Sequence, residues 1–121
     1  MTTLEATLMW LETRLAAAPP ELAADVRALL REAEGDGSDE GGDAIAELLA
    51  RAALEGLGEV VDGLGRRDSA LRLLSADAAL TFAFEAAADL GGDVRALCHN
   101  LGPRGEFGRQ LSASAADGAR R

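Results

Sequence analysis

The sequence predicts an all-α fold: a compact bundle of four to five helices arranged around a central, apolar fourth helix. Three observations lead there. Alanine and leucine dominate, Val, Ile and Thr are few, and Tyr is absent; this balance favours helix over strand. Leucines recur at spacings of three and four, which places them on one side of a helix. Glycine and proline pairs punctuate the chain between these stripes.

The first helix is expected over Thr3–Ala18. Thr2 and Glu5 have the spacing of a capping box, and Leu4, Leu8, Leu11 and Leu15 share one side. Pro19-Pro20 ends it and opens the second helix, because Pro at a first helical position loses no hydrogen bond. That helix runs to about Glu34, with Leu22, Val26, Leu29, Leu30 and Ala33 inward, and pairs with the first as an antiparallel hairpin. Residues 35–42 are acidic, rich in glycine and devoid of apolar side chains, so they read as a loop.

Asp43 has the character of an N-cap for a third helix reaching Leu64. Gly56 and Gly58 fall inside it; the preferred reading is close approach by a neighbouring helix. The turn at Gly65–Asp68 precedes the fourth helix, Ser69 to Leu90, which is apolar nearly all round and stops at Gly91-Gly92. A short fifth helix spans Asp93–Leu101 and ends at Gly102-Pro103. Phe107 and Leu111 are expected to dock a last turn. The domain thus covers 1–111, and 112–121 is expected to fray.

Charge narrows the function. The net charge is −9; residues 1–60 carry thirteen acids against four arginines, and 61–121 carry eight of each. Such a chain repels phosphate backbones and anionic membrane surfaces, so neither nucleic acid nor membrane is an expected partner. A single cysteine allows no internal disulfide. With no leader-like start and no apolar run near the ~20 residues that span a bilayer, a cytoplasmic location is expected.

Three groups of residues bear on chemistry. Counted from Asp36, the acidic loop places Asp36, Ser38, Glu40 and Glu47 at positions 1, 3, 5 and 12 of an EF-hand-like loop, with Gly41 at 6. It departs from that pattern at position 8, where Asp43 replaces an apolar residue, and at position 5, where Glu40 is long. A solvated loop without bound calcium is the expectation. Cys98 and His99 are neighbours on a helix and point about 100° apart, so Cys98 reads as a small core residue and His99 as a surface one. Asp77, Thr81 and Glu85 form a polar stripe on the fourth helix, and Asp77 falls between Leu73 and Phe84 on the most apolar side. A carboxylate buried there needs a partner, with Arg66, Arg67 and Arg95 the candidates. This stripe reads as structural before functional. No catalytic residue and no cofactor is assigned.

Asp77, Ala78, Leu80, Ala83, Phe84 and Glu85 stand at the spacing of one helix of the trans-polyprenyl diphosphate synthases. The segment 75–85 resembles that helix. The family's two aspartate-rich metal motifs have no counterpart, and the chain is shorter than the family fold, so prenyl transfer itself is not implied. An accessory subunit or degenerate relative of such an all-α enzyme is, with Asp77 and Glu85 as its acidic residues. The leading reading is instead a protein–protein interaction or structural module, self-associating as a homodimer through helices one and three. A calcium-binding module through the acidic loop is the third.

Overall fold

The computed structural model describes residues 1–34, 42–63, 67–105, 108–109 and 112–113. Five helices follow in order: α1 (Thr3–Leu15), α2 (Pro20–Glu32), α3 (Gly42–Asp62), α4 (Arg67–Asp89) and α5 (Val94–Leu101). Among the described residues there is no strand. Residues 35–41 of the expected acidic loop 35–42, the docking residues Phe107 and Leu111, Leu64, Arg66 and the tail from 114 onward lie outside the described residues, and Gly42, expected in that loop, opens α3.

Local chemistry sets the helix ends. The capping box at the start of α1 is formed: Glu5 N donates to Thr2 Oγ1 at 3.1 Å, and Thr2 N donates to Glu5 Oε2 at 3.0 Å. Pro19 occupies the N-cap of α2 and Pro20 its first turn. Asp93 caps α5 by accepting from Ala96 N at 3.0 Å. Gly91 adopts φ +74°, a left-handed conformation that suits glycine and ends α4. One reading changes: α3 begins at Gly42, so Asp43 lies inside its first turn and not at its N-cap. Its Oδ1 accepts from Asp93 N at 3.3 Å, which ties the start of α3 to the start of α5.

The core joins Leu11 and Leu15 of α1, Val26, Leu29 and Leu30 of α2, Leu48 and Leu49 of α3, and Leu97 of α5. Helix α4 packs on α2, α3 and α5 and meets α1 through side chains, while its outer side is exposed and α3 is the more deeply buried helix. Its contact with α3 is the most extensive in the bundle. The two run antiparallel, since Gly56 faces Ala76 while Asp43 faces Gly92.

The inward side of α4 departs from expectation. Ser75, Ala76, Ala79, Ala83, Ala86 and Ala87 are buried, whereas Leu73 and Leu74 are exposed and Leu71, Leu80, Phe82 and Phe84 sit half-buried on the flanks. The cause is the closeness of α3. A Cβ added at Gly56 would lie 3.1 Å from a Leu29 methyl and 3.2 Å from Ala76 Cβ. Only small residues fit such an approach, so the large apolar side chains of α4 are turned aside. Gly56 therefore does what the sequence suggested, whereas Gly58 does not: a Cβ there meets nothing within 4 Å.

Candidate functional site

The polar stripe of α4 lies on its outer side. Asp77 and Thr81 are exposed, and Thr81 Oγ1 donates to the Asp77 carbonyl oxygen at 3.0 Å. The expected burial of Asp77 is thus corrected. The inner side of α4 is set by its alanines, and Asp77 stands about 100° round the helix from Ala76. The Asp77 carboxylate has no ion pair with Arg67, Arg95 or any other described residue.

Glu85, two turns further on, does have an arginine partner, but it comes from α1. Arg14 Nε lies 3.1 Å from Glu85 Oε2, and Arg14 Nη2 lies 3.5 Å from Asp89 Oδ2. The guanidinium stacks 3.7 Å from the centre of the Trp10 ring, and Trp10 Nε1 donates to Asp89 Oδ2 at 3.0 Å. Trp10 also meets Phe82 edge-on, with centroids 6.4 Å apart. Together these contacts fasten α1 to the C-terminal half of α4. The stripe therefore divides: Glu85 belongs to this clasp, and Asp77 with Thr81 faces solvent. The two acids of an enzyme reading do not converge.

A second polar cluster went unread in the sequence. Arg72, on the inner flank of α4, lies 3.0 Å from Asp25 Oδ1, 3.0 Å from Glu32 Oε2 and 3.5 Å from Glu59 Oε2. One guanidinium thereby joins α2, α3 and α4. Asp25 Oδ2 is buried and accepts no hydrogen bond. Glu55 is exposed, but partial desolvation by its neighbours still raises its carboxyl above its ordinary range; Arg51 opposes this, while Glu59 and Glu32 add to it. Beside Arg72 opens a cavity of about 230 Å³, lined also by Glu59, Val60, Gly63, Asp68 and Ser69. The available signal was Asp25 and Glu32 seven residues apart on one side of α2, opposite an arginine four residues before Ala76 on the inward side of α4.

The remaining candidates are dispersed. Asp36, Ser38 and Glu40 of the EF-hand-like loop lie outside the described residues. Glu47 is half-buried on α3 and lines a cavity of about 60 Å³ with Asp43, Asp93 and Asn100. Among the described residues no group of three or more His, Cys, Asp or Glu is placed to hold a metal ion. Cys98 and His99 are both exposed on α5; Leu97, not Cys98, is the buried residue of that helix. No described helix is long and apolar enough to cross a membrane.

What remains is surface. On the outer side of α4, Leu73 is 46% and Leu74 58% exposed, close to Asp77 and Thr81. Comparison with protein-family models, with curated proteins and with solved structures finds no match. The likeness of residues 75–85 to a polyprenyl diphosphate synthase helix remains a likeness of one helix.

Proposed function

We propose that this chain is a helical interaction module that binds another protein chain along the outer side of α4. The observation that carries this reading is the pair Leu73 and Leu74. Both lie in a well-formed helix, both are uncovered, and the opposite side of the same helix is closely packed. Covering the remaining apolar surface of such a leucine is worth on the order of 1 kcal/mol, a useful anchor for a partner. Helix α3, named with α1 as an expected interface, lies largely inside the bundle, whereas α1 keeps Met9 exposed, so α1 stays a candidate surface beside α4.

Affinity capture from the native cell with the wild-type chain and with Leu74→Glu tests this. A partner held by the wild type and lost by Leu74→Glu supports the reading. Capture that is equal for both proteins counts against it. Sedimentation of the two proteins over a range of concentrations asks the same question of a second copy of the chain.

A further inference from the structure

We draw no further inference here: the strongest candidate, the cavity of about 230 Å³ beside Arg72 between the end of α3 and the start of α4, has its arginine already held by Asp25, Glu32 and Glu59 and its Ser69 hydroxyl by the Gly63 carbonyl oxygen, and nothing in the structure shows what would fill it.

Discussion

Arg72 Nη2 stands 3.0 Å from Asp25 Oδ1, and the two side chains retain only 18% and 16% of their exposure. The pair crosses from α4 to α2 at a depth where water screens poorly, and Glu32 and Glu59 complete the shell around the guanidinium. Arg72 is thus the cation around which three acidic side chains from two other helices collect.

Removing it should be costly. Arg72→Ala strands Asp25 in a mostly buried site among other carboxylates, and a loss of about 3 kcal/mol is expected in urea unfolding. Asp25→Asn removes one acid and leaves Arg72 two partners, so its cost should be smaller. An Arg72→Ala midpoint equal to wild type would show that the cluster contributes nothing.

Two glycines of α3 give an internal control. A Cβ at Gly58 meets nothing within 4 Å, so Gly58→Ala should stabilise the protein by up to about 1 kcal/mol through helix propensity. At Gly56 the added methyl presses on Leu29 and Ala76 at 3.1 to 3.3 Å, so Gly56→Ala should gain less or lose stability. Thermal melts of the two variants should therefore move apart. Equal shifts would refute the close packing of α3 on α4.

Glu55 supplies a pH dependence. Its carboxyl titrates above its ordinary 4.5 in the fold because partial desolvation disfavours the charged form. A raised folded value means that the stabilising contribution is complete below the unfolded value and is lost as pH rises through the folded one. At neutral pH, Glu55 therefore destabilises the fold, and Glu55→Gln should raise the unfolding midpoint. The advantage should shrink as pH falls toward 4.5. Urea curves at neutral and mildly acidic pH would reveal an advantage that fails to shrink.

Trp10 is the chain's single tryptophan, so its emission reports on the clasp between α1 and α4. Arg14→Ala removes the stacked cation and the bridges to Glu85 and Asp89. The carboxylates are about half exposed, so the cost should be only about 0.5–1 kcal/mol. The emission should nevertheless shift to the red as the ring gains water. Unchanged emission would mean that the ring is held by Phe82 and its other neighbours alone.

Much of this fold was legible in the sequence, because capping and periodicity are local. Thr2 with Glu5, Pro19-Pro20, Asp93 and Gly91 all act within a few residues of themselves, and the leucines of α1 and α2 point where their spacing puts them. The orientation of α4 was not legible. Its leucines and phenylalanines surround the helix, so periodicity offers no preferred side; the choice is made by the distance to α3, a tertiary quantity. For the same reason Asp77 seemed buried and is exposed. Arg72 and Arg14 escaped notice because each finds its acids on other helices, and spacing along one helix cannot register such a pairing.

The methyl-lined contact between α3 and α4 has a thermal consequence. An alanine side chain has no rotamer freedom to lose on folding and releases little apolar surface to water on unfolding. Contact of this kind draws more on dispersion between closely spaced backbones than on hydration, and it adds little to the heat capacity of unfolding. The contribution of this contact to stability is therefore expected to fade less on cooling than that of the leucines buried from α1 and α2.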